Sequence, residues 1–336
     1  MSVSQQDVAE LRRLANGYQL SQALHVAAVL GLADLVGDGP RSSDELAEVA
    51  GAHPPSLYRL LRALASVGVF REEDGRRFAP TALSDLLRRD SPGSLHGWVE
   101  FVGRRAHWDS WACLVDSVRT GESAFRLRHG ESVWDYRARD PEENAAFDAA
   151  MTAISNADRG LIAAYDFGRF ATVVDVGGGR GGFLASLLAA HPDLRGILLD
   201  QPHVVAGAPE PLRAAGVAAR CELVGGSFFD AVPAGGDIYL LKNVIVDWDD
   251  AQATAILRVC RRAMPAAARL LVVQRVLAPG DAPDPATFGD LNMLVMVGGQ
   301  ERTAAEFAAL YEAAGFRPPR ILPTAAGVSL IEGQLA

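Results

Sequence analysis

The chain has 336 residues, 49% of them apolar, enough for one large domain or two ordinary ones with sizeable cores. Its formal net charge of −9 argues against general binding to nucleic acid or to anionic membranes. No apolar run is long enough for a membrane span, the polar start Met1–Gln6 has no signal-peptide character, and Cys113, Cys221 and Cys260 lack CxxC spacing; these features predict a cytoplasmic protein with reduced thiols and no metal site.

Residues 7–36 carry Ala, Leu and Val at helical spacing up to the breaker cluster Gly37-Asp38-Gly39-Pro40. That apolar face is long for a chain with enough core already, and it predicts a homodimer. Ser42 to Glu45 reads as the cap of a short helix, and Pro54 to Leu64 as a second amphipathic helix. Val67–Phe70 and Arg77–Pro80 flank Glu72-Glu73-Asp74-Gly75, the pattern of a β-hairpin. Helix–turn–helix plus hairpin is a winged-helix pattern. A DNA reader would show a basic stripe, which this acidic chain lacks, so a dimerising module is the better reading.

A helix is expected over 144–164. It places Met151, Ile154, Ser155 and Asp158 on one face. From about Phe170 the pattern turns α/β. Strands are predicted at 171–176, 195–200, 220–224, 236–242 and 268–275, followed by a hairpin near 320–322 and 328–331. The fold class is therefore α/β: a doubly wound Rossmann-like sheet closed by an antiparallel hairpin, behind a mainly helical N-terminal winged-helix domain. The expected division is 1–100, a helical connector at 101–165, and 166–336. Residues 278–285 read as a loop beside the site.

The most informative run is Val173-Val174-Asp175-Val176-Gly177-Gly178-Gly179-Arg180-Gly181-Gly182, a strand that breaks into glycines before a helix. Gly177-x-Gly179-x-x-Gly182, with Asp200 ending the next strand, fits a nucleoside-containing cofactor. Asp175 before the turn, the closing hairpin and the stretch Lys242 to Asp250 favour S-adenosylmethionine over a dinucleotide.

Asp-Val-Gly-Gly-Gly, Leu199-Asp200-Gln201-Pro202, Gly225-Gly226-Ser227-Phe228-Phe229, Lys242 to Asp250 and Gly298-Gly299-Gln300-Glu301-Arg302-Thr303 stand in one order. In this the chain resembles, over nearly its whole length, the plant caffeate-type small-molecule O-methyltransferases and their bacterial relatives. Among the latter it is similar to tailoring enzymes of aromatic polyketide and enediyne pathways, including those acting on hydroxynaphthoic acids. The resemblance implies S-adenosylmethionine as cofactor. Gly177 and Gly179 would then face its methionine part, Asp200 its ribose, Ser227 and Phe228 its adenine, and Lys242 its nucleoside. Position 227 departs from the family, in which an aspartate accepts from the adenine amine.

The catalytic pattern departs further. The family's histidine base falls on Val246, and the glutamate that orients it on Gln274; only Glu301 remains of that set. Two readings follow. Methyl transfer to an acidic phenol can proceed by alignment and exclusion of water, with Asp158, Asp247 and Glu301 as candidate catalytic carboxyls. Alternatively, the scaffold supports a non-methylating reaction on an aromatic polyketide: hydroxylation, decarboxylation or rearrangement. The resemblance places an aromatic substrate against Phe147, Met151, Phe288, Asn292 and Met293. It also brings the first helix of one protomer toward its partner's site, where Arg12 or Arg13 would pair with a substrate carboxylate.

Overall fold

A computed structural model describes residues 3–154, 158–280, 284–325 and 327–336; the side chains of residues 158, 159 and 285 are also outside the described set. The expected loop 278–285 thus lies partly outside it. The chain forms two compact units, Met1–Asp109 with Arg139–Asn156, and Ser110–Ala138 with Ala157–Ala336. The segment 101–165 is therefore shared between them.

In the first unit the apolar run 7–36 forms three helices, Gln5–Ala15, Gly17–Val29 and Leu32–Val36. The chain breaks at Asn16 and again at Gly31, whose φ of +63° is left-handed backbone that glycine adopts without strain. Helices Ser43–Ala50 and Pro54–Ala65 follow, the first started by a Ser42–Glu45 capping box. Strands β1 (Arg41–Ser42), β2 (Arg71–Glu73) and β3 (Arg77–Ala79) form an antiparallel sheet in the order β1-β3-β2. Glu72 and Glu73 thus belong to a strand of the wing. Its tight turn lies at Gly75 and Arg76, both at positive φ. Leu32, Val36, Leu46, Leu57, Leu61, Leu64, Phe70 and Phe78 make the core.

The first helix buries no residue, and Val8, Leu11 and Leu14 are exposed on it. Its apolar face is bare in a single chain.

Helix His96–Val102 packs against both Gly17–Val29 and Pro141–Ile154. Two glycines permit this. A Cβ at Gly97 would sit 2.8 Å from the Ala149 carbonyl oxygen, and one at Gly103 would overlap the His25 ring. His25 is fixed there by its Nδ1 contact with the Glu100 carbonyl at 2.8 Å. Arg104 ties the same helix pair together through Glu143 at 2.6 Å and Glu142 at 3.1 Å. Gly103→Ala is expected to lower stability by about 1–3 kcal/mol, the usual cost of overpacking. Denaturant melts of the two proteins check this, and an unchanged midpoint would show that His25 swings aside freely.

The second unit is built on β4 (Thr172–Val176), β5 (Arg195–Asp200), β6 (Cys221–Gly225), β7 (Ile238–Lys242), β8 (Arg269–Gln274), β9 (Val276–Leu277), β10 (Arg302–Thr303), β11 (Arg320–Pro323) and β12 (Ser329–Gly333). Seven of these form one sheet in the order β11-β12-β8-β7-β4-β5-β6. The last two strands in sequence, β11 and β12, are antiparallel and close one edge, as the short loop between them predicts. Sheet residues alternate between two cores. Val174, Val176, Leu241 and Val272 face helices Asp250–Ala263 and Ala304–Ala314, whereas Val173, Leu198, Leu240 and Leu271 face Gly182–Ala190. The strand order reverses between β4 and β7. At such a switch point the loops diverge and leave a crevice at the C-terminal ends of the strands.

The helix expected over 144–164 appears as Pro141–Ile154 and Asp158–Ala163. Residues 155–157 and the Asp158 side chain lie outside the described set, and with them the expected shared face of Met151, Ile154, Ser155 and Asp158. Among the described residues, no helix is long and apolar enough to cross a membrane.

Candidate active site

The glycine loop stands at the switch point, after β4. Gly177, Gly179 and Gly181 have φ of +71°, +62° and +76°. Gly177 leaves no room for a side chain, because a Cβ would lie 2.8 Å from Val244 Cγ2 and 3.4 Å from Phe228 Cε1. At Gly179 the Cβ direction is open, with nothing within 4 Å. The Gly179 N–H donates to Asp200 Oδ2 at 2.8 Å, and the Gln201 N–H donates to Oδ1 at 2.7 Å. Burial pushes the Asp200 carboxyl up, and these two donors pull it back toward the charged form. Each carboxylate oxygen keeps lone pairs for vicinal hydroxyls.

Ser227 Oγ accepts from the Phe229 N–H at 3.2 Å, which fixes the turn after β6. Phe228 and Phe229 meet the Trp248 ring edge-to-face, at 5.9 and 4.8 Å, and Trp134 stacks on Trp248 at 6.5 Å. Lys242, at the end of β7, holds its ammonium 5.6 Å from the Phe183 ring centroid. The residues fit S-adenosylmethionine: a close-approach glycine loop, a half-buried carboxylate with lone pairs for vicinal hydroxyls, and flat apolar walls. They are the six cofactor positions read from the sequence, gathered at one end of one sheet.

The turn after β7 carries the second half of the site. Ile245–Asp247 is one turn of 3-10 helix, and Val246 is buried in it. Asp247 is half-buried, and enclosure by protein pushes its carboxyl up to about 7, against the pull of Arg137 and with a further push from Glu301. Glu301 is also raised, chiefly by burial, while Gln274 lowers it by donating from Nε2 to Glu301 Oε2 at 3.2 Å. The Glu301 N–H donates to Asp290 Oδ1 at 2.8 Å. The carboxyl next to Val246 is thus pushed further up by a second one, Glu301.

The expected substrate residues divide between the units. Phe147 and Met151 are half-buried in the first, where Phe147 meets Phe101 edge-to-face at 5.8 Å. Asn292 and Met293 are half-buried in the second, and Asn292 Oδ1 accepts from Trp111 Nε1 at 3.2 Å. Phe288 is 73% exposed. Arg13 pairs with Glu10 on the surface, and Arg12 is exposed beside it. The Asp158 side chain lies outside the described residues.

Three residues near the carboxyls escape a sequence reading. Arg137, buried beside Asp247, stands 5.3 Å over the Trp134 ring. Asp290 and Arg302 brace the Glu301 turn. Of the three, only Arg302 carries a sequence signal, its place beside Glu301 in the run Gly298 to Thr303.

An O-methyltransferase domain family matches residues 111–317, and an O-methyltransferase dimerisation domain matches residues 12–90. The chain is 45% identical over 325 residues to phenazine O-methyltransferase PhzM of Lysobacter antibioticus, covering 96% of this chain and 95% of that one. The solved structure of LaPhzM aligns with a TM-score of 0.94 at 44% identity, over 98% of this chain and 99% of that one. The O-methyltransferase NcsB1 of neocarzinostatin biosynthesis, solved with S-adenosylmethionine and 2-hydroxy-5-methyl naphthoic acid, aligns with a TM-score of 0.83 at 37% identity, over 94% and 96% of the two chains. A relative of different chemistry is aclacinomycin 10-hydroxylase RdmB of Streptomyces purpurascens, 36% identical over 92% of this chain and 84% of that one.

Proposed function

We propose, from the premise that the chain belongs to the dimerising S-adenosylmethionine-dependent O-methyltransferase family, that it methylates an acidic phenolic hydroxyl, with a hydroxynaphthoic acid as substrate class. Several of its relatives are named as O-methyltransferases of aromatic natural products, and the dimerisation domain supports a homodimer. When bound, the cofactor supplies an electrophilic methyl group on a sulfonium. The protein's part is to align the acceptor oxygen, exclude water and receive a proton.

The observation that carries this reading is the company Val246 keeps. Valine takes no proton, yet Asp247 beside it has a carboxyl held near neutrality by enclosure. A base of that strength matches an acidic phenol. Asp247 takes the hydroxyl proton as the oxygen attacks, and Glu301, fixed by Gln274 and Asp290, adds to the push that raises the Asp247 carboxyl. Alignment and desolvation supply the remainder of the rate. Phe147, Met151, Phe288, Asn292 and Met293 are the proposed aromatic contacts, and Arg12 the proposed partner of an acceptor carboxylate.

A second reading, a non-methylating reaction on an aromatic polyketide, is favoured by the same Val246 and by the likeness to a hydroxylase. Incubation with methyl-labelled S-adenosylmethionine and a panel of hydroxynaphthoates, hydroxybenzoates and anthracyclines separates the two. Labelled methyl ether from a hydroxynaphthoate is the expected result. No methyl product across the panel, with cofactor bound, would move the assignment to the second reading.

A further inference from the structure

Arg302 is the largest side chain wholly withdrawn from solvent, at 0% exposure. It opens β10, which pairs with β9 next to the end of β8. An arginine has five N–H donors in a rigid fork, and here the fork makes four hydrogen bonds and an ion pair. Nε donates to Asp250 Oδ1 at 2.9 Å, and Nη2 reaches the same oxygen at 2.8 Å. Nη2 also donates to the Trp248 carbonyl at 2.9 Å. Nη1 donates to the carbonyls of Ile245 at 3.1 Å and Gln300 at 3.3 Å. The two carbonyls from the β7 turn, 245 and 248, bracket Val246 and Asp247.

The neighbours of Arg302 act on the same turn. Gln300 Nε2 donates to Asp250 Oδ1 at 2.8 Å. Gly299 lies flat on the turn: a Cβ there would overlap the Val246 carbonyl oxygen and stand 2.7 Å from the Trp248 nitrogen. Glu301 lies between Gln300 and Arg302 in the chain. A buried cation is costly, and apolar residues of similar volume commonly pack as well or better. What the apolar replacement cannot do is fix three carbonyls and a carboxylate at set angles.

We propose that Arg302 is a positioning residue, whose guanidinium fork clamps the Ile245–Trp248 turn against the Gln300–Glu301 turn and so sets the enclosure of Asp247 and its alignment with Glu301. The inference rests on reading Asp247 as the proton acceptor. The charged groups acting on Asp247 are Arg137 from helix Val133–Arg139 and Glu301; those acting on Glu301 include Arg275, Asp290 and Arg302 itself. Loosening the clamp hydrates Asp247 and returns its carboxyl toward ordinary aspartate behaviour.

The test compares Arg302→Lys, which keeps the charge and loses the fork, with Arg302→Met, which loses both. The first readout needs no activity: 13C NMR titration of labelled aspartate carboxyls in the full-length protein, with Asp247 assigned by Asp247→Asn. Both variants are expected to lower the Asp247 midpoint by at least about one pH unit, while binding of S-adenosylhomocysteine changes less than about threefold. Single-turnover methylation should lose at least about tenfold, with its acidic limb moved to lower pH. A role confined to stability predicts lower melting temperatures with the midpoint and pH profile unmoved, and that result overturns the proposal. Wild-type titration in Arg302→Lys would also overturn it, by assigning the effect to charge. If Arg302→Met does not fold, Asp250→Ala serves, because the Asp250 side chain is 69% exposed and its loss leaves the three bonds from Arg302 to carbonyls in place; it should shift the midpoint in the same direction by less, and no shift would overturn the clamp. Full activity in Asp247→Asn would sink the proton-acceptor reading instead, and the titration would still decide whether Arg302 sets the environment of Asp247.

Discussion

Gly179→Val is expected to weaken binding of S-adenosylhomocysteine by at least about 100-fold, or about 2.7 kcal/mol, in a chain that still folds. The loop residue has φ of +62°, a conformation that costs a β-branched residue about 1–3 kcal/mol. Relief of that strain means turning the 179 peptide, and the N–H that holds Asp200 Oδ2 at 2.8 Å turns with it. The valine side chain would also fill the open space into which the Gly179 Cβ direction points. The fold tolerates this because no protein atom lies within 4 Å of that Cβ. Gly177→Ala is the contrasting case: its Cβ would press on Val244 at 2.8 Å, so stability falls along with binding. Calorimetric titration with S-adenosylhomocysteine, alongside thermal melts, reads both effects. Unchanged affinity in folded Gly179→Val protein would remove the cofactor from this loop.

The glycine loop is legible in the sequence because its requirement is local. A strand must turn into a helix within a few residues, and only glycine tolerates the angles. The same holds for the strands of the seven-stranded sheet, which lie within two residues of their predicted bounds. The Ser42–Glu45 capping box and the closing hairpin are local in the same sense. Arg302 and Arg137 are not. An arginine reads as surface by composition, and their burial depends on elements far away in the chain: Arg302 meets Ile245, Trp248 and Asp250 across more than fifty residues. The raised carboxyl of Asp247 is hidden for the same reason, since enclosure is a property of the assembled turn. Phe288 shows the opposite limit. Its apolar character and its place before the Gly298 turn suggest a pocket residue, but in a single chain it is 73% exposed.

The expected effect of Asp247→Asn is a loss of about 10²–10⁴-fold in single-turnover methylation, the usual contribution of one general base and about 3–5 kcal/mol in the barrier. Asparagine keeps the size and the hydrogen-bonding shape of the side chain but accepts no proton. The pH profile identifies the role. The wild-type rate should rise about tenfold per pH unit below about 7 and level off above it, because a carboxyl pushed up to about 7 is ionised only there. In the variant that limb should vanish, leaving a slow rate that follows the ionisation of the acceptor phenol itself. Acceptors of graded acidity sharpen the contrast: the penalty of Asp247→Asn should shrink as the phenol becomes more acidic, since a substrate already ionised needs no base. Asp158→Asn is the comparison that assigns the proton. A loss of only a few-fold there, beside a large loss in Asp247→Asn, places the acceptor on the β7 turn. The reverse result would place it on Asp158 and leave Asp247 to hold the turn. A few-fold loss in both, with the profile set by the phenol, would mean that alignment and exclusion of water supply the rate without a protein base, as the valine at position 246 alone suggests.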